Sequence, residues 1–248
     1  MSRNLSRTDL SWWHRRYLQQ AEWTRTARVH LYRRLEIARC GTILEIGCGT
    51  GVISNELVDR TDSAVFGLDN DFTALDFARE QASNKMLLWL AGDADKLPFA
   101  DASLDLIVTH YFWLWAKRSD VIINECRRVL KESGRLAALA EPDYSSRQDH
   151  PEGRPNIKEF LMSDLKAKGA DPAIGKKIED IFARAGFKTV AGSVCDKTAY
   201  GANPELFRQE WKLLERLGYP SEELASIKKQ PEEKWITMPI HWAIGRKK

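Results

Sequence analysis

The chain has 248 residues, of which 43% are hydrophobic, and a formal net charge of +3 at pH 7. This length and apolar content predict a single domain, 1–248, that can bury a real core. No run of about 18 apolar residues of the kind that spans a membrane occurs, so we expect no membrane partner. The net charge alone is too small to imply a polyanionic partner.

The four cysteines give no sign of a metal site. Cys40, Cys48, Cys126 and Cys195 share no metal-type spacing, and no C-x-x-C pair is present. Reduced thiols in a cytoplasmic protein are the simplest interpretation, and the first residues lack an apolar stretch of the signal-peptide type. We therefore expect a cytoplasmic location and no bound metal.

The first forty residues predict a helical cap, 1–40. Apolar side chains follow at helical spacing over 9–39, in two segments. Basic residues crowd the same stretch: Arg3, Arg7, Arg15, Arg16, Arg25, Arg28, Arg33, Arg34 and Arg39. Such an array is usually the solvated face of helices, and a nucleic-acid contact is the alternative.

A strand, a glycine turn and a helix follow the cap. Thr42–Ile46 is an apolar run with β-branched residues, and Gly47, Gly49 and Gly51 end it at every second position. Apolar residues then recur at helical spacing to about residue 59. Glycine permits the backbone angles of such a turn and lets a ligand approach the main chain, while the helix start presents free N–H groups.

Strands and helices then alternate to residue 143, the end of the predicted core 41–143. Further strands are predicted at 64–68, 86–90, 104–109 and 135–140, with helices from about 72 and over 120–130. This alternation predicts a parallel, doubly wound sheet.

The pattern changes after residue 143. We predict helices at 157–168, 172–185, 204–218 and 221–230, and strands at 187–195 and 237–245. The stretches 144–170 and 200–235 are interpreted as helical inserts over one end of the same sheet, because no linker or repeat separates a second domain.

The glycine spacing distinguishes two kinds of nucleotide ligand. A dinucleotide fold uses G-x-G-x-x-G, with pyrophosphate at the helix N-terminus. Here the spacing is G-x-G-x-G, and Glu45 precedes the first glycine by two residues. A carboxylate so close would repel a pyrophosphate and would suit an ammonium group. A nicotinamide oxidoreductase is therefore a distant alternative.

Two more acids follow successive strands, where the ligands of open α/β sheets bind. Asp69 closes the second strand, and its carboxylate can accept from both hydroxyls of a ribose. Asp93 lies between Gly92 and Ala94 just past the third strand, where it can accept from an adenine amino group. Each acid alone would be read as a turn or cap residue, but three at successive strand ends behind a glycine turn indicate a site.

The ordered set resembles the class I S-adenosylmethionine-dependent methyltransferases. It comprises ILEIGCGTG at 43–51, GLD at 67–69, AGDA at 91–94, LPF at 97–99 and LDLIVT at 104–109. QAEWT at 20–24 and EPDY at 141–144 are similar to a small-molecule-type subgroup (type 11/25-like), which fixes no substrate. The resemblance implies a Rossmann-like, seven-stranded sheet of order 3-2-1-4-5-7-6 with the seventh strand antiparallel, and helices forming a lid.

The resemblance also implies the cofactor, S-adenosyl-L-methionine, and the product S-adenosyl-L-homocysteine. Its motifs place cofactor contacts at Glu45, Gly47, Gly49, Asp69, Asp93 and Ala94, with Cys48, Asn70 and Gly92 as neighbours within those motifs. Trp23 and His110 are further candidates for cofactor contact. Aromatic faces can hold a sulfonium by cation–π attraction.

The acceptor side is predicted less sharply. Tryptophans cluster before the first strand and after the fourth, which points to an aromatic pocket, with core packing as the alternative. The candidates for its lining are Trp113 and Trp115, with Tyr111 and Trp23 beside the sulfonium. Candidate bases are His110 and His150, with Tyr111 also among the catalytic candidates. Asp143 and Tyr144 could orient the acceptor.

We therefore expect a methyltransferase acting on a small or medium-sized acceptor. RNA or protein methylation is the second hypothesis, weakened because His110-Tyr111-Phe112-Trp113 stands where an Asn-Pro-Pro-Tyr motif would be. A non-catalytic cofactor-binding regulator is the third. The oligomeric state, a homodimer included, stays open.

Overall fold

The structure is a computed structural model. It describes residues 6–82, 86–150, 157–195, 197–199, 204–229 and 233–247. Its centre is a seven-stranded sheet, and a three-stranded sheet lies beside it. The strands of the main sheet are β1 (Thr42–Ile46), β2 (Ala64–Asp69), β3 (Leu87–Ala91), β4 (Leu104–His110), β5 (Leu130–Pro142), β7 (Lys188–Val194) and β10 (Ile240–Arg246).

The main sheet has the order β3-β2-β1-β4-β5-β10-β7. Strands β1 to β5 run parallel, and β10 pairs antiparallel with both β5 and β7. Counted within this sheet alone, the order is 3-2-1-4-5-7-6. The predicted topology, with its antiparallel seventh strand, is therefore confirmed.

Helices cover both faces of this sheet. They are α1 (Arg7–Trp23), α2 (Arg25–Arg34), α3 (Val52–Val58), α4 (Phe72–Gln81), α5 (Ser119–Val129), α6 (Ile157–Ala167), α7 (Ile178–Arg184), α8 (Pro204–Leu217) and α9 (Ser221–Lys229). Successive strand residues point to opposite faces, so Leu44 and Ile46 join the core cluster that includes α5 and α7, whereas Ile43 joins the one that includes α2 and α3. No helix in the described ranges is long and apolar enough to cross a membrane.

Two predicted elements differ from the structure. The helix expected over 172–185 begins only at α7, because Asp171 accepts from the backbone N–H of Ala173 (3.1 Å) and holds a turn there instead. The strand expected over 237–245 is divided at Pro239, which has no N–H to donate to a sheet. The Pro239 carbonyl accepts from the N–H of Asp143 (2.9 Å).

The inserts contain a small sheet that the sequence did not predict. It consists of β6 (Gln148–His150), β8 (Thr198–Ala199) and β9 (Trp235–Thr237), in the order β6-β9-β8. Helices α6, α8 and α9 share a separate apolar cluster, in which Leu161 and Leu214 are buried. The inserts are thus partly β-structure rather than wholly helical. Their division from the core at 143 stays a prediction.

Candidate active site

The glycine turn between β1 and α3 has the strained geometry that its sequence predicts. Gly47, Gly49 and Gly51 all have positive φ, at 74°, 50° and 80°. The N–H groups of Gly47 and Cys48 donate to the carbonyl of Leu68 in β2 (2.8 and 3.1 Å). The turn is therefore held by its own sheet before any ligand binds.

The three glycines of the turn serve two purposes. A Cβ at Gly47 would lie 2.5 Å from the Phe112 ring, and one at Gly51 would lie 2.3 Å from Trp89. At these two positions glycine makes room for aromatic side chains. A Cβ at Gly49 would meet only Tyr17 of α1, at 3.9 Å. Gly49 is therefore the point at which a ligand can reach the backbone of the turn.

Glu45 lies at the floor of the site and is almost fully buried. Burial, together with the charge of Asp69 and against the hydrogen bond from Ser54, raises the pKa of Glu45 to about 8. A positive charge beside a carboxyl group with a raised pKa stabilises its ionised form. Glu45 is therefore suited to bind a cationic group.

Asp69 and Asp93 stand at the ends of neighbouring strands. Asp69 accepts from the N–H groups of Gly49 (2.7 Å) and Asp71 (2.9 Å), so one carboxylate joins the glycine turn to the start of α4. Asp93 accepts from the Asn70 side chain at 3.1 Å. Each carboxylate retains lone pairs for further donors such as hydroxyl or amino groups.

These residues line one cavity of about 680 Å³, which extends from the glycine turn to helices α6 and α8. Ten of the predicted cofactor contacts lie on its wall: Glu45, Gly47, Cys48, Gly49, Asp69, Asn70, Gly92, Asp93, Ala94 and His110. Tyr111, Trp115 and Tyr144 from the predicted acceptor side also line it. The cavity is large enough for a nucleoside and a second small molecule.

Trp23 and Trp113 lie elsewhere. Trp23 is not on the cavity wall, and its ring instead carries the Arg16 guanidinium at 4.6 Å from its centroid. Trp113 is fully buried, and its indole donates to Thr109 at 3.0 Å. The assignment of these two rings to ligand contact is corrected on this ground. For Trp113, core packing is the structural role.

Asp143 and His150 are also outside the cavity wall. Asp143 accepts from the Ser145 N–H (3.0 Å) and from the Ser146 hydroxyl (2.7 Å), which closes the turn after β5. The His150 ring stacks on Trp235, with centroids 4.9 Å apart. Neither side chain lines this cavity, so the structure does not support the acceptor roles predicted for them.

His110 lines the cavity as a neutral ring. The Thr24 hydroxyl donates its one proton to the Gln20 carbonyl (3.1 Å) and accepts from Arg28 (2.5 Å). Because that proton is already used, the hydroxyl can only accept from His110 Nε2, at 2.9 Å. This assigns the ring proton to Nε2 and leaves Nδ1 as the free acceptor. Burial, with the charge of Arg28, keeps the pKa of His110 well below its ordinary value.

The half of the cavity away from the glycine turn is mainly apolar. Leucines from α6 and α8 face Tyr111, Tyr144 and Trp115 across it. These leucines are Leu161, Leu165, Leu213 and Leu217. Lys117 and the ion-paired Lys168 and Asp164 lie on the same wall. This arrangement suits a mainly apolar molecule with a polar group that can reach the charged side chains.

Sequence reasoning predicted aromatic side chains from this stretch but missed Arg16, Tyr17 and Gln20 of α1. Trp13, Tyr17 and Gln20 line the cavity together with Arg16, and their spacing of three and four residues places them on one helical face. That face carries aromatic and amide groups rather than a plain apolar stripe, which is the signal that could have identified it. The leucines of α6 and α8 gave no such signal, because an apolar helical face usually indicates core.

The arginines of the first forty residues are largely engaged within the chain. Arg16 and Arg28 are buried in ion pairs with Glu210 and Glu56. Arg7, Arg25 and Arg39 pair with nearby acids on the surface. This distribution argues against a basic nucleic-acid surface at the cap.

Comparison with known proteins assigns the family. The family described as Methyltransferase domain matches residues 44–138. A demethylmenaquinone methyltransferase of Tropheryma whipplei is 30% identical over 169 residues, which are 66% of this chain and 68% of that relative. The chain belongs to the class I S-adenosylmethionine-dependent methyltransferases. The family match over residues 44–138 includes the carboxylates of Glu45, Asp69 and Asp93 in this methyltransferase.

Other methyltransferases are similar over shorter stretches. A malonyl-[acyl-carrier protein] O-methyltransferase of Methylococcus capsulatus is 40% identical over 97 residues, or 38% of this chain and 35% of the relative. The chain spans only 18%, 35% and 36% of the length of three curated relatives that it matches, so it covers about a third of each or less.

Among solved structures, Haemonchus contortus phosphoethanolamine N-methyltransferase 2 in complex with S-adenosyl-L-methionine has a TM-score of 0.61. It covers 93% of this chain and 56% of its own length at 15% identity, so it shows a common fold alone.

Proposed function

We propose that this methyltransferase transfers a methyl group from S-adenosyl-L-methionine to a small or medium-sized acceptor held under helices α1, α6 and α8. The observation that carries the proposal is the single cavity that joins both requirements. The glycine turn with Glu45, Asp69 and Asp93 lines one half, and apolar side chains of the insert helices line the other.

The polar half fits S-adenosyl-L-methionine group by group. Glu45 would bind the ammonium group, because a buried carboxylate is stabilised by a neighbouring cation. Asp69 would accept from the ribose hydroxyls and Asp93 from the adenine amino group. Gly49 leaves room for the methionine chain. Tyr17, which approaches Gly49 from α1, would cover the ligand.

The bound sulfonium supplies the methyl group by in-line displacement. The chain itself would align the acceptor and exclude water, because little covalent chemistry is required of it. Tyr111 and Trp115 offer aromatic faces on the same cavity wall. His110 would be a weak base at neutral pH, because its pKa lies well below the ordinary value. We assign it to positioning, with its Nδ1 as the free acceptor.

A small-molecule acceptor is supported by the size and the walls of the cavity. The relatives named for malonyl-[acyl-carrier protein] and for demethylmenaquinone act on acceptors that differ from one another. Their names therefore support methyl transfer in general rather than one acceptor for this chain.

Asp69 provides the first test. We expect Asp69→Ala to weaken binding of S-adenosyl-L-homocysteine, measured by calorimetry, by about 1–3 kcal/mol, because a charged hydrogen-bond acceptor is removed. The matched control is Asp76→Ala, which removes an exposed acid of α4 that pairs with Arg79.

An unchanged affinity in Asp69→Ala would contradict the proposed site. So would an equal loss in Asp76→Ala, because a general charge effect would then explain the result. A circular dichroism spectrum and a melting temperature of each variant verify that the chain as a whole still folds.

A further inference from the structure

Glu141 is a fully buried carboxyl group near the end of β5, behind the cavity wall rather than on it. Its Oε1 accepts from the backbone N–H groups of Phe112 (3.0 Å) and Trp113 (3.1 Å). Its Oε2 has no hydrogen-bond partner among the residues that the structure describes. Burial of a carboxyl group is costly, so the two bonds that Oε1 accepts have to justify its position.

The two N–H groups belong to the start of a short 3-10 helix, Trp113–Trp115, in the loop after β4. The first N–H groups of a helix have no acceptor within the helix, and no side chain of the loop itself caps them. Strand β5 pairs with β4, which places Glu141 beside these N–H groups. Glu141 therefore caps the loop from a neighbouring strand.

The backbone of this loop is strained just before the capped N–H groups. Tyr111 has φ of 55°, a left-handed conformation that is uncommon for a bulky side chain. Its N–H donates to the carbonyl of Ala140 at 2.8 Å. Such a conformation persists only where the surrounding structure fixes it. Ala140 and Glu141 together hold three consecutive N–H groups of the loop, at 111–113.

The loop forms a wall that extends along both halves of the cavity. Every residue of 111–118 except Trp113 lines the cavity. At one end the Phe112 ring packs against Gly47 of the glycine turn, so closely that a Cβ at Gly47 would lie 2.5 Å from it. Farther along the chain, Trp115 and Lys117 reach the apolar half. A shift of the loop would therefore alter the cofactor half and the acceptor half together.

We propose that Glu141 is a positioning residue, whose Oε1 holds Phe112 against the glycine turn and thereby fixes the wall that cofactor and acceptor share. The inference rests on the proposed function, because the ligand whose binding the wall governs is S-adenosyl-L-methionine. Both partners of Oε1 are neutral N–H groups, so the loop requires an acceptor oxygen rather than a negative charge. Burial also raises the pKa of Glu141 to about 8, so the group is mainly neutral at pH 7.

Two variants of Glu141 separate the acceptor oxygen from the charge. Glu141→Ala leaves the N–H groups of Phe112 and Trp113 without an acceptor, and we expect it to weaken binding of S-adenosyl-L-homocysteine about tenfold. Glu141→Gln keeps an oxygen at the position of Oε1, and its affinity should stay within about twofold of that of the unchanged chain. Calorimetry at pH 7 measures both affinities.

Thr109→Val is the matched control. It removes another buried hydrogen bond of the same loop, because the Trp113 indole donates to the Thr109 hydroxyl at 3.0 Å, but it leaves both capped N–H groups in place. We expect its melting temperature to fall while its affinity for S-adenosyl-L-homocysteine is unchanged. The melting temperature of Glu141→Gln should fall as well, since its amide nitrogen takes the position of Oε2, which has no partner.

A double-mutant cycle with Phe112→Leu tests the route of the effect. If Glu141 acts by holding the Phe112 ring against Gly47, Glu141→Ala should weaken binding by no more than about twofold once that ring is absent. Glu141→Asp, whose carboxyl group is one methylene short of the loop, replaces Glu141→Ala in every comparison if the alanine variant does not fold. It should show the same loss of affinity.

Three results would overturn the inference. They are an unchanged affinity in Glu141→Ala, an equal loss in Glu141→Gln or Thr109→Val, and a full tenfold effect of Glu141→Ala in the Phe112→Leu background. Each leaves the proposed function intact, because the unchanged chain still binds the nucleoside. Failure of the unchanged chain to bind S-adenosyl-L-homocysteine would overturn the proposed function, and this inference with it.

Discussion

At the scale of single residues, Glu45 is the group whose environment a ligand would change most. Burial is the largest cause of its raised pKa, which is about 8. An ammonium group beside it would favour the ionised form and lower that pKa. Cofactor binding should therefore be coupled to the release of a proton.

This coupling can be measured directly. At pH 7 we expect binding of S-adenosyl-L-homocysteine to release up to one proton, because most Glu45 side chains are protonated beforehand. Affinity should rise with pH from about 6 to about 8 and then level off. Calorimetry in buffers of different ionisation enthalpy measures the released proton. Glu45→Gln should abolish the release, and a persistent release of the same size would contradict the role of Glu45.

The sequence was sufficient to predict which strand-end residues would lie together on one cavity wall. Gly49, Asp69 and Asp93 follow strand ends, and the ends of parallel strands meet at one edge of a sheet whatever the remaining chain does. Trp113 shows the limit of this reasoning. It stands only two residues after Tyr111, yet its side chain enters the core. The direction of the side chain depends on a backbone conformation that only the folded turn sets.

At the scale of elements, Glu210 connects three parts of the lid. It lies on α8 and pairs with Arg16 of α1 and with Arg147 after β5. Burial acts to raise its pKa, but the two arginines hold it at about 2. This lowered pKa means that the stabilisation is present above the ordinary value of about 4.5 and is lost as pH falls toward 2.

Replacement of Glu210 should therefore be costly. We expect Glu210→Ala to lower the free energy of unfolding at pH 7 by about 3–5 kcal/mol, because two buried guanidinium groups lose their shared partner. Glu215→Ala on the same helix removes an exposed acid that pairs with Lys228, and should cost less than about 1 kcal/mol. Urea denaturation measures both. Equal losses would show that the buried network is not what holds α8 in place.

The lid elements were also the hardest to predict. The amphipathic pattern of α8 indicates a buried face, but it does not say that Leu213 and Leu217 face a cavity while Leu214 faces α6 and α9. The small sheet of β6, β8 and β9 was missed because two of its strands have three residues and one has two. A period of two cannot be recognised in so few residues.

At the scale of the whole molecule, the sheet order explains why both halves of the site share one cavity. Strands β1, β2, β3 and β4 end at the same edge and supply Glu45, Asp69, Asp93 and His110. The chain after β5 returns over that edge as α6 and α8. The apolar runs of buried parallel strands were enough to predict a parallel sheet, and the family resemblance supplied the strand order. The acceptor depends on loops and inserts, which follow no comparable rule.

The proposed site is tested most directly by a crystal structure of the chain with S-adenosyl-L-homocysteine. We predict density for the nucleoside along the glycine turn, with its amino group at Glu45, its ribose at Asp69 and its adenine at Asp93. The sulfur atom should face the half of the cavity that α6 and α8 line. Density at another position, or Glu45 and Asp93 turned away from the ligand, would contradict the proposed cofactor site.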